Sequence, residues 1–289
     1  MTDTFIRTPP GLDSPALLPY LSRVPPTQAT PAFSLTCFGV GDGQACGDRF
    51  HSSFLYQLGE ASVLIDCGEP ISRSYKASGL SYDQIDRIFL SHLHSDHVGG
   101  FFMLMQAFWL EQRGKPLTVH APRDGIAPLR RMLRAGYLFD ELFQFPLRFA
   151  GLKAGRPVRI GEARVTPFPT THLERLRKSF QRKYPGSYAA FSFLIEAGGR
   201  RIAHSADLGA PEDLDPLLEK PIDLLVCELA HFTPQDLFRY LRGKPVKRVV
   251  FIHVGGPFWK DLVATSRLAG KMLPGVNCTF ARDGQTIQI

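Results

Sequence analysis

The sequence predicts an α+β fold of four layers, an αββα sandwich in which two mixed β-sheets pack face to face and helices cover both outer faces. Two observations predict it. Hairpin patterns are followed by helices that alternate with strands, and this succession occurs once in each half of the chain. A fold of this kind presents functional side chains at a common edge of its sheets.

The first half of the chain begins with a proline-rich segment, residues 1–32, which we interpret as an extension before a folded domain at 33–289. The first strand alternates until a glycine-rich turn breaks it, and the next two strands flank Gly59-Glu60, as in a hairpin. Residues 100–112 are apolar nearly all round, which predicts a buried helix with Met103 in the core. The elements predicted in this half are strands at 33–38, 53–58, 62–66, 87–90 and 117–120, a helical turn at 82–85, and helices at 100–112 and 125–135.

The second half contains a further hairpin and then helices that alternate with strands. The hairpin turns at Ala197-Gly-Gly199, and the later apolar strands are separated by segments of helical periodicity. The elements predicted in this half are strands at 158–160, 163–167, 190–196, 201–204, 222–227, 249–253, 277–280 and 286–289, and helices at 213–218, 235–241 and 260–271.

The composition is that of a globular protein large enough for a sizeable core: 289 residues, 44% hydrophobic and 21% charged. The sequence has no apolar run long enough to span a membrane and no charged start followed by an apolar block, so we expect neither a membrane span nor a secretory signal. The five cysteines form no Cys-x-x-Cys pair. Reduced thiols and a cytoplasmic location are therefore expected.

The net charge of +7 and the pI near 9.3 favour anionic partners. The densest basic cluster lies in residues 174–183, where Arg175, Arg177 and Lys178 are the candidates for holding an anionic substrate. A solvated helix face explains the same cluster without any ligand.

The stretch Phe89-Leu-Ser-His92-Leu-His94-Ser-Asp96-His97 places four potential metal ligands directly after an apolar strand. His92 and His94 are two positions apart, so in an extended chain both side chains point the same way. Neutral imidazoles suit Zn²⁺, and a carboxylate among them is typical of an open, hydrolytic site rather than a thiolate cage. Four further polar residues stand where apolar strands end, and they extend the predicted site: Asp66, His172, Asp207 and His253.

This ordered set resembles the metallo-β-lactamase superfamily over about residues 33–289. The resemblance implies the metallo-β-lactamase fold and two metal ions, with Asp207 bridging both. It implies that Asp66 hydrogen-bonds groups behind the ligands or the metal-bound water. It assigns the other ligands as His92, His94 and His172 for one metal and Asp96, His97 and His253 for the other.

Several stretches are similar to the ribonuclease Z-like and cyclic phosphodiesterase-like branch of that superfamily. They are Leu35-Thr-Cys-Phe-Gly-Val-Gly41, Leu64-Ile-Asp-Cys-Gly-Glu69 and Lys115-Pro-Leu-Thr-Val-His-Ala-Pro122. Cys227-Glu-Leu-Ala-His231 is similar to the strand end where phosphodiesterase relatives carry an extra catalytic pair. Ribonuclease Z also inserts a long arm that grips the tRNA elbow between the third-motif histidine and the bridging aspartate. Here His172 and Asp207 are only 35 positions apart (207 − 172), which leaves no room for that arm.

The predicted function is that of a binuclear metal-dependent hydrolase, a phosphodiesterase that uses a metal-bridging hydroxide as nucleophile. The candidate catalytic residues are Asp66, Asp96, Glu228 and His231, with His231 as proton donor to the leaving alkoxide and Glu228 orienting it. A helix N-terminal role for His231 is an equally good interpretation. Zn²⁺ is the expected ion, and Mn²⁺ and iron fit the same ligands.

The predicted substrate is a small anionic ester or phosphodiester. Nucleic acid stays open as a partner, without a grip on the tRNA elbow, and so does a homodimer, because relatives in the superfamily often dimerise. The alternatives are a non-hydrolytic protein with a redox or cofactor-biosynthesis role, a lactone or thioester hydrolase, and a nucleic-acid binder without chemistry.

Overall fold

The computed structural model describes residues 33–289, and the predicted extension at 1–32 lies outside the described residues. Two seven-stranded sheets form the centre of the described domain. The first sheet consists of β1 (Phe33–Gly39), β2 (Ser53–Leu58), β3 (Ala61–Ile65), β4 (Arg87–Phe89), β5 (Leu117–Ala121), β6 (Leu147–Gly151) and β14 (Gln285–Gln288). The second sheet consists of β7 (Val158–Ile160), β8 (Ala163–Thr170), β9 (Ala190–Ala197), β10 (Arg200–His204), β11 (Leu224–Leu229), β12 (Arg248–Val254) and β13 (Asn277–Phe280).

Eight α-helices and four short 3-10 turns connect these strands within the described part of the chain. The helices are α1 (Ile71–Ala77), α2 (Ser95–Val98), α3 (Phe101–Leu110), α4 (Ile126–Ala135), α5 (Glu174–Phe180), α6 (Pro234–Leu241), α7 (Gly256–Lys260) and α8 (Leu262–Met272). The 3-10 turns are Tyr82–Gln84, Arg123–Gly125, Asp140–Leu142 and Pro211–Leu214. No helix among residues 33–289 combines the length and the hydropathy needed to cross a membrane.

The two sheets have matching topologies, in the orders β14-β1-β2-β3-β4-β5-β6 and β13-β12-β11-β10-β9-β8-β7. Each is half antiparallel and half parallel: β14 to β3 and β7 to β10 run antiparallel, whereas β3 to β6 and β10 to β13 run parallel. The antiparallel parts are the predicted hairpins, and the parallel parts are the predicted strand–helix alternations. The parallel strands of each sheet therefore bring their carboxyl ends to one edge.

The core lies in three layers, one between the sheets and one under each outer set of helices. Side chains of both sheets interdigitate at the centre, where Phe54, Phe89 and Phe193 are essentially inaccessible to solvent. A fully buried side chain of this size contributes roughly 1.5–3 kcal/mol to folding. Helices α1, α3 and α4 cover the first sheet, and α6 and α8 cover the second. This arrangement confirms the predicted four-layer α+β sandwich.

Some details of the predicted elements are wrong. Residues 213–218 form only the end of a 3-10 turn, and no element was predicted at α1, α2 or β6. Helix α5 lies where a helix face was one interpretation of the basic cluster. Met103 is 55% exposed rather than buried. Helix α3 belongs to the outermost layer, so one of its faces must meet solvent, and Met103 and Leu110 occupy that face seven positions apart.

Candidate metal centre

The candidate site lies at the edge where the parallel strands of both sheets end. Asp66 follows β3, the histidine cluster follows β4, and Asp207 follows β10. Neighbouring parallel strands place their carboxyl ends together, and ligands bind at such edges in sheets of this type. His172 follows β8 and His253 lies near the end of β12, so the second sheet supplies the remaining predicted ligands.

The structure brings four side chains together in what we call the first group: His92, His94, His172 and Asp207. One potential ligand atom from each lies within 4.8 Å of the others. Nε2 of His172 is 3.1 Å from Nδ1 of His94 and 3.6 Å from Oδ2 of Asp207, and Nε2 of His92 is 3.8 Å from the same oxygen. Three imidazole nitrogens and one carboxylate are a donor set that suits a tetrahedral zinc ion.

A second group contains Asp96, His97, His253 and again Asp207, with one ligand atom each within 4.8 Å. Nε2 of His97 is 3.2 Å from Oδ1 of Asp207 and 3.3 Å from Oδ2 of Asp96. Nε2 of His253 is 3.6 Å from Oδ2 of Asp207. The two groups therefore share one carboxylate, and each takes the residues that the resemblance assigns to one metal.

Several potential metal-ligand atoms of these groups lack any hydrogen-bond partner among the described residues. Nε2 of His92, Nε2 of His97 and Oδ1 of Asp207 are all buried, and the last two, although 3.2 Å apart, lack the geometry of a hydrogen bond. Leaving a buried polar group unpaired costs roughly 1–3 kcal/mol, so folded proteins rarely do so without a purpose. Divalent cations between the nitrogens and the shared carboxylate would satisfy all three atoms, so these residues fit a two-metal centre.

The nitrogens that face away from the centre are held by other side chains. Asp66 accepts from Nδ1 of His97 at 2.7 Å and from the backbone N–H and hydroxyl of Ser91 at 2.7 and 2.8 Å. The Ser91 hydroxyl also lies 3.0 Å from Nδ1 of His92, and that of Ser52 lies 3.0 Å from Nδ1 of His253. Such contacts fix the ring orientation and tautomer of a metal-binding histidine.

The two serines were missed by sequence reasoning. Ser91 directly precedes the first histidine of the motif, which is the only signal that could have found it. Ser52 stands 201 positions from His253, and no sequence pattern links the two.

Backbone conformation also marks this edge of the sheets. Asp66, Ala206 and His253 have φ values of 59°, 46° and 47°. Residues other than glycine rarely adopt this left-handed region, which costs of order 1–3 kcal/mol and is concentrated at functional sites. Each of the three lies at or just beyond the end of a strand, so the chain turns sharply at or next to a residue of the site.

Electrostatics at the centre divide the histidines into two kinds. Burial lowers the pKa of His92 and His94, and it lowers that of His172 to about 4, so these three rings are neutral and available as ligands. Burial acts in the same direction on His97, but the carboxylates of Asp207 and Asp66 outweigh it and raise the pKa of that ring well above its usual range. A metal ion would displace the proton that His97 otherwise keeps, because both compete for Nε2.

The two carboxylates of the centre are held ionised. Burial would raise the pKa of Asp207, but His253, His97 and His92 lower it well below its usual range. Burial also opposes ionisation of Asp96, and the adjacent His97 and His253 rings outweigh it and again lower the pKa of this carboxyl. Charged carboxylates are the form that binds divalent cations.

Glu228 and His231 form a pair beside the centre. Nδ1 of His231 lies 2.8 and 2.9 Å from the two carboxylate oxygens of Glu228, and its Nε2 lies 3.9 Å from Oδ2 of Asp207. Burial would lower the pKa of His231, but Glu228 outweighs it and raises the value to about 9. Glu228 is fully buried and His231 is about one-third exposed, so the ring faces the solvent side of the centre.

The three predicted anion-binding residues lie on α5, directly after His172. The guanidinium of Arg177 pairs with Glu174 at 2.5 Å, and Nζ of Lys178 is 3.6 Å from the same carboxylate. Arg175 is exposed. Arg175 and Lys178 thus lie exposed on the helix that follows His172, whereas Arg177 is already engaged within its own helix.

Comparison with protein families gives one match that covers most of the described chain. A family model described as "Anti-Pycsar protein Apyc1" matches residues 33–236. Among curated proteins, ribonuclease Z from Bradyrhizobium diazoefficiens is 29% identical over 183 residues, which cover 62% of this chain and 56% of that protein. The chain thus matches little more than half the length of that relative.

Two solved structures share the fold at low sequence identity. The metallo-β-lactamase fold protein YhfI from Bacillus subtilis superposes with a TM-score of 0.70 at 17% identity, covering 89% of this chain and 99% of that one. The short form of human tRNase Z superposes with a TM-score of 0.67 at 20% identity, again covering 89% of this chain and 99% of the other.

Proposed function

The chain belongs to the Anti-Pycsar protein Apyc1 family, in the ribonuclease Z-like branch of the metallo-β-lactamase superfamily, and on this premise we propose that it is a metal-dependent hydrolase of phosphodiesters with a binuclear centre. The observation that carries the proposal is the pair of ligand groups that share Asp207. A single metal would need only one of these groups. Two groups with one carboxylate in common support two ions held close together.

Seven residues would hold the two ions. They are His92, His94 and His172 on one side, Asp96, His97 and His253 on the other, and Asp207 between them. Two divalent cations bound there would supply Lewis acidity and an activated water at neutral pH. Zn²⁺ is the proposed ion because imidazole nitrogens outnumber carboxylates among the ligands, and Mn²⁺ or iron remain compatible with this donor set.

His231 is the proposed general acid. A leaving alkoxide needs a proton, and the raised pKa of His231 keeps its ring protonated at neutral pH. Glu228 holds Nδ1, so that Nε2 faces the centre, and Glu228 also accepts the backbone N–H of Leu208 at 2.7 Å. The same carboxylate therefore links the proton donor to the segment that carries Asp207.

The other two proposed catalytic carboxylates act at the centre itself. Asp66 holds His97 through Nδ1, and Asp96 lies beside Nε2 of the same ring. His97 and His253 keep the carboxylate of Asp96 negatively charged, as a metal ligand must be. We place this ligand on the side of the centre that faces the substrate. Asp96 is the more exposed of the two, at 12% of its side chain.

A small anionic phosphodiester is the proposed substrate. Arg175 and Lys178 would attract it, because they are exposed on α5 directly after a ligand. The interval between His172 and Asp207 contains α5 and the β9–β10 hairpin. These elements account for the regular structure of the interval, which supports a compact substrate rather than a gripped tRNA.

RNA is the second candidate substrate. The relative from Bradyrhizobium diazoefficiens is named ribonuclease Z, and exposed Phe180 and Tyr184 lie among the basic residues of 174–184. Aromatic faces next to cationic side chains can hold single-stranded nucleic acid. A cytoplasmic location is proposed with either substrate, supported by five cysteines that are all unpaired within residues 33–289.

A substrate panel tests the proposal. The zinc-loaded chain is assayed with bis(p-nitrophenyl) phosphate, a short single-stranded RNA, a lactone and a thioester, beside His94→Ala and His253→Ala as metal-site variants. We expect cleavage of a phosphodiester that both variants lose. Hydrolysis of the lactone or thioester without phosphodiester cleavage would contradict the proposal, and a redox-active di-iron centre would favour a non-hydrolytic role. A homodimer remains a prediction, which sedimentation of the same sample can test.

A further inference from the structure

One carboxylate oxygen outside the metal centre accepts an unusual number of hydrogen bonds. Oδ2 of Asp213 accepts from the backbone N–H and the hydroxyl of Thr171, at 2.9 and 3.0 Å. It also accepts from the backbone N–H groups of Gly209 and Ala210, at 2.8 and 3.3 Å. Capping of the 3-10 turn that carries Asp213 explains the two local donors. It does not explain Thr171, which is 42 positions away.

The donors belong to the two segments that present metal ligands of the first group. Thr171 directly precedes His172, and Gly209 and Ala210 follow Asp207 closely. The same segments touch again where the hydroxyl of Thr170 donates to the backbone carbonyl of Asp207 at 2.9 Å. Asp213 is thus bonded to both sides of a junction between His172 and Asp207.

The junction leaves no space for a side chain at its closest point. A Cβ added to Gly209 would lie 2.3 Å from the backbone carbon and 2.4 Å from the hydroxyl oxygen of Thr171. Real Cβ atoms do not approach backbone so closely, and backbone cannot move aside cheaply. Gly209 therefore allows the segments that carry His172 and Asp207 to lie in direct contact, and Asp213 bonds them to each other.

We propose that Asp213 is a positioning residue that sets the spacing between His172 and Asp207, and through it the metal affinity of the first ligand group. This inference rests on the proposed metal centre. Nε2 of His172 lies 3.6 Å from Oδ2 of Asp207, and neither ligand can keep that distance if its segment shifts. Residues that orient metal ligands without touching the metal typically change the affinity roughly 10–100-fold.

Stepwise metal titration of the full chain tests the inference. Metal-free protein is titrated with Co²⁺ and Zn²⁺ against a chromophoric chelator. His94→Ala identifies the binding step of the first group and His253→Ala that of the second. We expect Asp213→Ala to weaken the first-group step roughly 10–100-fold and the second-group step by less, since only Asp207 is common to both.

Asp215→Ala is the matched control. Asp215 lies two positions further on and also accepts side-chain bonds, from Tyr240 at 2.7 Å and Lys244 at 2.8 Å, and both of these partners lie outside the ligand-bearing segments. We expect this variant to bind both ions as the wild type does. Equal weakening of both steps by Asp213→Ala, or equal effects of the two alanine variants, would show a general loss of stability and overturn the proposal.

Two further variants apply if Asp213→Ala folds poorly, as judged by circular dichroism of the metal-free protein. Asp213→Asn keeps an acceptor oxygen at the junction, so we expect it to recover most of the first-group affinity. Gly209→Ala separates the same segments while Asp213 is intact, so we expect it to weaken the first-group step. Wild-type affinity in Gly209→Ala, or no recovery in Asp213→Asn, would contradict the proposal. A wild-type chain that binds fewer than two ions would instead refute the proposed function itself.

Discussion

Asp66 and His97 are joined by a buried contact of 2.7 Å between Oδ2 of the carboxylate and Nδ1 of the ring. Both residues are at most 1% exposed. The contact leaves Nε2 of His97 directed at Asp207, 3.2 Å from Oδ1. A carboxylate in this position fixes which nitrogen of the ring can meet a metal and raises its basicity.

Replacing Asp66 should therefore weaken the second metal without unfolding the chain. Asp66→Asn keeps the shape but removes the negative charge behind His97, and we expect the affinity of the second-group step to fall roughly 10–100-fold. Competition with a chromophoric chelator measures the change. Asp140→Asn, which affects an exposed carboxylate paired with Arg130, should behave as the wild type. Unchanged affinity in Asp66→Asn would exclude this role for the carboxylate.

Loss of the proposed proton donor should depend on the leaving group. His231→Ala should lower kcat about 10²–10⁴-fold for a phosphodiester with an alkoxide leaving group, because that oxygen needs a proton as it departs. The effect should be much smaller for bis(p-nitrophenyl) phosphate, whose leaving group is already a weak base. Glu228→Gln should show the same pattern in milder form, since the histidine remains. Equal losses with both substrates would argue that His231 acts on the metal centre instead.

The exposed basic residues of α5 should affect binding of anions in particular. The double variant Arg175→Glu and Lys178→Glu should raise KM several-fold for an anionic phosphodiester, an effect on the order of 1 kcal/mol for exposed charges, and the increase should shrink at high salt. Arg177→Ala should have a smaller effect, because this guanidinium is paired with Glu174. Reversal of the exposed pair Arg130 and Arg134 on α4 serves as the control for net charge. If both reversals raise KM equally, α5 has no special role.

The free energy of unfolding at acid pH should depend on a buried histidine outside the metal centre. Burial lowers the pKa of His120 to about 4, and its ring stacks on Phe89 with the centroids 4.7 Å apart. In the unfolded chain the imidazole of His120 takes up a proton near pH 6.5, whereas in the folded chain it does so only near pH 4. The folded state therefore loses stability as the pH falls from about 6.5 towards 4, and it loses none above about pH 7. The loss from this group should reach about 2 kcal/mol at pH 5.

His120→Phe should remove that loss while preserving the stacked ring. Urea unfolding of metal-free wild type and variant, compared at pH 7 and pH 5, measures the difference, and the other histidines cancel in the comparison. Equal slopes of stability against pH in the two proteins would show that His120 does not titrate as burial requires.

The two residue groups that could hold a metal come together because each of their members stands where an apolar strand ends. His92 to His97 follow β4, Asp207 follows β10, and parallel strands place such residues at one edge whatever the lengths of the loops between them. Strand periodicity and residue type were enough for this part of the site. The same reasoning gave the hairpins and the layered architecture.

The side chains that hydrogen-bond to the ligands or to their segments could not be predicted, because they lie far from those partners in the sequence and come next to them only in the folded chain. Asp213 and Thr171 stand 42 positions apart and Ser52 and His253 stand 201 apart, and no periodicity relates either pair. Helix α1 is too short, at seven residues, to show a clear period. The exposed face of α3 was missed because apolar residues on an outer helix cannot be told from core residues by composition alone.

The metal content of the purified chain tests the central claim most directly. Elemental analysis after zinc loading and removal of free metal should give two zinc ions per wild-type chain. It should give one in His94→Ala and one in His253→Ala, and a loss of affinity for both in Asp207→Ala. One ion or none in the wild type, or wild-type content in Asp207→Ala, would contradict a two-metal centre that shares this carboxylate.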